Sequence, residues 1–241
     1  MYSKLLTDIV DFDEYLLRNI KGLRISQDLF DDLGDDGDDY AIAHAAENRD
    51  SVATEESLLL RPFDYGAAIA FPFIEANWQR TRFSDGIRYG VWYGSLDLET
   101  TIHESAYHWR RFVLASFPNE STDIVAERRV IKAKCHGILV SLLGKEIEYH
   151  ALVDPDDYTF SNALGSYLQR QGQNGVMYRS ARCSGTNGAI FKQSRLSDAR
   201  DHCFLTYIFN PLANGALRVE RERGVLLQNI YCSPQKISLT K

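Results

Sequence analysis

The stretch RFSDGIRYGVWYGSLDLETTIHESAYH, residues 82–108, decides the architecture expected of this chain. Arg82 opens a turn around Gly86, and the aromatic run YGVWY at 89–93 reads as a strand. A helix then starts behind Ser95 or Asp97, either of which can N-cap it. Leu98, Ile102, Ala106, Trp109 and Val113 recur at helical spacing as a core-facing stripe, and Glu104 lies off that stripe. A cation, an aromatic face at Tyr93 and a carboxylate thus surround one strand-to-helix junction. Such a trio suits a substrate with anionic phosphates, a flat ring and a carbon that becomes cationic in the transition state.

Working outward, ERRVIKAKC, GILVSLL, GVMYRS, GAIFK and ALRVERE read as further short strands rich in β-branched and aromatic residues. A second helix is expected over 161–170, stopped by Gly172. Strands outnumber helices and do not alternate regularly with them, which favours an α+β fold over a doubly wound sheet. Before this region, Leu5, Ile9, Phe12, Leu16 and Ile20 stand at helical spacing, so residues 4–20 are expected to form an amphipathic helix. Residues 39–58 also look helical. The division that follows is an acidic, mainly helical N-terminal extension over 1–55 and an α+β domain over 56–241.

Composition narrows the function classes. The 241 residues are 44% hydrophobic and 25% charged, ordinary for a globular protein able to bury a substantial core. A formal charge of -6 argues against a nucleic-acid partner, which needs a basic face. Apolar runs such as GILVSLLG are too short to span a bilayer, and the acidic residues Asp8, Asp11, Asp13 and Glu14 are unlike a signal peptide. The four cysteines form no CxxC pair, and the default compartment is the reducing cytoplasm.

Several chemistries fail on spacing. No GxGxxG follows a strand and no GxSxG elbow is present. Gly144-Lys145 lacks the rest of a phosphate loop, with Leu139 and Glu146 at the required positions. In the acidic run DLFDDLGDDGDDYA, a calcium loop starting at Asp32 would put Gly34 and Ala43 at ligand positions. His103 and His108 in HESAYH are separated by about 140° around a helix, too far apart to grip one ion. No metal is expected, and the histidines read as bystanders.

A second segment completes the constellation. YRSARCSGTNGAIF, residues 178–191, sets Ser180 and Arg182 after a strand, followed by a glycine loop, Asn187 and another strand. Taken with Arg82-Phe83-Ser84, Tyr93 and Glu104, the order and spacing resemble the RES-domain family, named for Arg, Glu and Ser residues. The resemblance covers roughly residues 58–215. Thr81, Ser84 and Arg179 stand where the family pattern has glycine, asparagine and proline.

This resemblance implies an ADP-ribosyltransferase-like core of short strands around a cleft with flanking helices, and NAD⁺ as substrate. Glu104 would stabilise the cationic ribose carbon, and Arg82 would hold the pyrophosphate. Tyr93 would stack on the nicotinamide or its ribose. Ser180 would bond a ribose hydroxyl, the amide or the acceptor, with Arg182 and Asn187 completing the cofactor-binding set. It further implies NAD⁺ degradation with inorganic phosphate or water as acceptor, by a toxin held inactive by a separate helix-turn-helix antitoxin. The alternative is ADP-ribosyl transfer to a protein or nucleotide. Ile102, two residues before Glu104, cannot orient such an acceptor. A homodimer is left open.

Overall fold

The computed structural model describes residues 2–22, 64–213, 216–222 and 225–230, which carry eight strands and three α-helices. The strands are β1 (Ile9–Lys21), β2 (Trp92–Ser95), β3 (Ile124–Ser141), β4 (Gly175–Arg179), β5 (Thr186–Ile190), β6 (Leu196–Phe209), β7 (Leu217–Glu222) and β8 (Val225–Ile230). The helices are α1 (Tyr65–Ala70), α2 (Leu98–Ser116) and α3 (Thr159–Arg170). The mixed α+β class is as expected.

The sheet runs β1-β2-β5-β4-β3-β6-β7-β8, and β3 also pairs back to β1. Five strands therefore close on themselves, and β6, β7 and β8 extend outward from β3. The closure is uneven. β1 is registered with β3 along all thirteen of its residues, from Ile9↔Val140 to Lys21↔Arg128, but meets β2 only at Leu17↔Ser95. The seam between β1 and β2 is the thin point of the ring.

This topology corrects the reading of the N-terminus. Residues 4–20 form no amphipathic helix: a short 3-10 turn at Ser3–Leu6 leads into β1. Phe12 and Leu16 are four apart, a spacing that fits both periodicities, and both are buried inside the ring with Trp92. Ile9, which a helical stripe would bury, is 65% exposed. Residues 1–22 cluster with 65–241 as one compact unit, so β1 is part of the main sheet and not of an appended segment. The remainder of the expected extension, with the helix at 39–58 and the acidic run, lies outside the described residues.

Two further differences concern strands. The runs expected at 127–135 and 137–143 join in one strand, β3, which passes through Gly137 at φ 144 and ends at Ser141. β6 escaped the sequence reading because its first half, LSDARDH, is polar. It is a strand because its backbone pairs antiparallel with β3 from Ile124↔Phe209 to Cys135↔Leu196.

Both long helices follow their sequence signals. Asp97 caps α2 by accepting from the Thr100 N–H at 2.7 Å. Ile102, Ala106, Trp109 and Val113 bury against β6 and β7 residues such as Leu205, Tyr207 and Val219. α3 buries Leu164 and Leu168 on the other side of the ring, with Phe83 and Tyr178. Its Gly165 allows close approach, since a Cβ there would meet the Phe83 carbonyl oxygen at 2.1 Å. Among the described residues, no helix is long and apolar enough to cross a membrane.

Candidate active site

A cleft of about 490 Å³ opens at the β1–β2 seam, within the roughly 300–1,000 Å³ common for small-molecule sites. Its walls include Arg18 and Asn19 of β1, Arg82, Tyr93 of β2, Glu104 of α2 and Asn187 of β5. Its position follows from chain order. The turn at 81–84 feeds β2, β2 runs into α2, and β5 lies beside β2 with Ser95 opposite Asn187.

Glu104 is the carboxylate of the site. Its Oε1 accepts from Ser180 Oγ at 2.6 Å and from Asn187 Nδ2 at 2.7 Å. Both bonds fall on one oxygen, so Oε2 has no hydrogen-bond partner among the described residues. Asn187 is itself fixed, because Ser95 Oγ donates to its Oδ1 at 2.7 Å. Ser180 Oγ also accepts from the backbone N–H groups of Arg182 (3.0 Å) and Cys183 (3.3 Å). The 180–185 loop closes through Ser180 N–H donating to the Gly185 carbonyl at 2.9 Å. Only glycine fits at position 185, where a Cβ would stand 1.7 Å from Thr100 Oγ1 in the first turn of α2. That contact brings the serine loop against the helix that bears Glu104.

Tyr93 presents its ring to the cleft while its hydroxyl works behind the wall. The hydroxyl accepts from Phe83 N–H at 2.9 Å and bonds Thr81 Oγ1 at 2.8 Å, clamping the turn that holds Arg82. Burial raises its pKa, so it stays a neutral phenol. Arg82 is buried. Its two terminal nitrogens donate to the Leu152 and Asp154 carbonyls at 2.9 and 2.8 Å, and its guanidinium lies 4.6 Å from the centre of the Tyr158 ring. Much of its donor fork is therefore occupied by backbone.

Of the residues expected at the site, Arg82, Tyr93, Glu104 and Asn187 line the cleft together. Ser180 sits behind Glu104. Arg182 turns away, its guanidinium 3.3 Å from the centre of the Tyr107 ring and donating to the Pro155 carbonyl at 2.5 Å. His108, read as a bystander, stands in the cleft wall. Among the described residues, no three His, Cys, Asp or Glu gather as metal ligands.

The sequence reading missed Arg18, Asn19, Tyr158 and Ser95 as cleft or supporting residues. Arg18 carried a usable signal: it is the one basic residue between Lys4 and Lys21, set in the apolar run YLLRNI. A lone cation directly after two leucines that are both buried calls for an explanation. A helix over 4–20 gives that residue no special place, so the signal goes unread.

Comparison with known proteins adds the following. A family model described as RES domain matches residues 58–209. No curated protein matches the chain. Among solved structures, it is similar to a chain in the crystal structure of the M. tuberculosis MbcT-MbcA toxin-antitoxin complex. The identity is 10% and the TM-score 0.44, over 85% of this chain and 88% of that chain.

Proposed function

This chain belongs to the RES-domain family, and from that premise we propose that it degrades NAD⁺ by cleaving the bond between nicotinamide and ribose. The observation that carries the reading is Glu104, a carboxylate in a cleft wall with one oxygen pinned by Ser180 and Asn187. As the glycosidic bond lengthens, positive charge grows on the ribose carbon, the same problem that glycosidases solve with a carboxylate. A carboxylate already oriented stabilises that charge without reorganising.

Each neighbour then has a task in this mechanism. Ser180 and Asn187 act as positioning residues, because their donors are spent on Glu104. The Tyr93 ring offers a face to the nicotinamide or its ribose. Arg82 contributes positive charge near the phosphates while anchoring the 152–154 segment. The bonding pair leaves with nicotinamide as a neutral base, and the acceptor oxygen forms the new bond to the ribose carbon. With water the products are ADP-ribose and a proton; with inorganic phosphate, the 1″-phosphate ester.

A small acceptor is favoured over a macromolecule by Ile102, which is buried in the core and 1% exposed. The position two residues before Glu104 therefore presents no polar group to a protein or nucleotide target. The biological reading is a toxin whose cleft is covered by a separate helix-turn-helix antitoxin. Purified protein mixed with NAD⁺, with and without phosphate, should release nicotinamide and yield free ADP-ribose products. A folded sample that releases none under either condition overturns the proposal, and label transferred from NAD⁺ to a macromolecule replaces it with the transferase reading.

A further inference from the structure

Three arginines, Arg18, Arg80 and Arg82, line the cleft with a single carboxylate, Glu104, in a chain whose formal charge is -6. A cationic cleft in an acidic protein concentrates anions at that place. The three are not equivalent. Arg82 spends both terminal nitrogens on backbone carbonyls, and Arg80 donates through Nε to Asn162 Oδ1 at 3.3 Å. Arg18 makes one long hydrogen bond, from a terminal nitrogen to the Tyr93 carbonyl at 3.5 Å, and its guanidinium lies 5.3 Å from the centre of the Trp92 ring. It forms no ion pair with any described residue.

A guanidinium carries five donors, and leaving most of them idle in a partly dry wall is costly unless a ligand uses them. Burial lowers the Arg18 pKa to about 10, which keeps it cationic at neutral pH. Beside it, Asn19 lines the same cleft and has a buried Oδ1 without a partner, while its Nδ2 donates to Tyr207 Oη at 2.8 Å. That bond uses one of the two N–H donors on Nδ2, and the second takes part in no other hydrogen bond among the described residues. Charge and donor geometry together suit a phosphoryl oxygen.

We infer that Arg18, with Asn19, forms a phosphate-binding subsite that the N-terminal strand contributes to the cleft. Both residues lie outside the segment 58–209 that matches the family model. The group bound is a phosphoryl anion, either the pyrophosphate of the dinucleotide or the free phosphate that accepts the ribosyl group. The choice between these sources rests on the NAD⁺ reading above; the subsite does not.

The test is calorimetric binding to the full chain of inorganic phosphate, pyrophosphate, ADP-ribose and nicotinamide riboside, the last carrying no phosphate. Arg18→Gln should weaken at least one phosphate ligand by about 10- to 100-fold, the value of a charge-assisted bond, and leave nicotinamide riboside unchanged. Loss confined to inorganic phosphate identifies the acceptor, and loss on ADP-ribose and pyrophosphate identifies the dinucleotide. Arg18→Lys, which keeps the charge but loses the fork, should fall between. A folded Arg18→Gln that binds every phosphate ligand like the parent, or loses nicotinamide riboside equally, overturns the subsite. A measurement on the unmodified protein covers the case in which the variant does not fold: phosphate or pyrophosphate should slow phenylglyoxal modification of Arg18, and no protection rejects the inference. Neither readout requires turnover, so failure of NAD⁺ cleavage remains a separate result.

Discussion

At the scale of single residues, the site is organised around one oxygen of Glu104. Glu104→Gln retains Oε1 as the acceptor for Ser180 and Asn187 and removes only the charge. It should keep the thermal midpoint of the parent while nicotinamide release falls by about 10²–10³-fold, the usual size of one lost electrostatic contact in a transition state. Equal turnover would remove Glu104 from the mechanism. Ser180→Ala and Asn187→Ala each take away one donor from that same oxygen, so their effects on kcat should not add. A double-mutant cycle should show a coupling of about 0.5–3 kcal/mol, and simple additivity would mean that they do not act through Glu104. These residues were legible in the sequence because their chemistry is carried by residue type and order. Their partners were not, since a hydrogen bond across 76 residues has no local signature.

At the scale of elements, α2 illustrates what local signals give. Its cap, its stripe and its off-stripe carboxylate all stand where the sequence places them, because each depends on neighbours within a few residues. Asp97 accepts from both the N–H and the hydroxyl of Thr100, at 2.7 Å each. Asp97→Ala should therefore cost about 1 kcal/mol of stability by denaturant titration. It should also lower turnover, because the first turn of α2 seats the serine loop at Gly185. A variant that loses activity without losing stability would show that Asp97 acts in some other way. β1 and β6 show the opposite case. Phe12 and Leu16 satisfy a helix and a strand equally, and the polar start of β6 satisfies neither. In both, the long pairing with β3 overrides the local preference.

At the scale of the whole molecule, the ring of β1, β2, β5, β4 and β3 explains why the N-terminus matters. Removing β1 would expose one edge of β3 along thirteen residues and strip the cleft of Arg18 and Asn19. Residues 56–241 alone should fail to give a cooperative thermal transition, and a folded, active fragment would contradict this. The core also sets a limit at alkaline pH. Burial raises Cys135 from 9.0 to about 12 and Tyr207 from 10.0 to about 12. Each folded pKa exceeds the unfolded one, so both contributions are complete below about pH 9 and are lost as the pH rises from there to about 12. Melting temperature should decline over that window, less steeply in Cys135→Ala; a flat profile would refute it. The sequence by itself determined the α+β class, α2 and α3, and the polar residues of the motif, because periodicity, caps and residue chemistry are local. Only the tertiary structure decided that residues 9–21 form a strand, that the ring opens at its thinnest pairing, and that Arg18 faces the cleft. Those outcomes depend on backbone pairing between segments more than 70 residues apart, and no window of sequence contains that information.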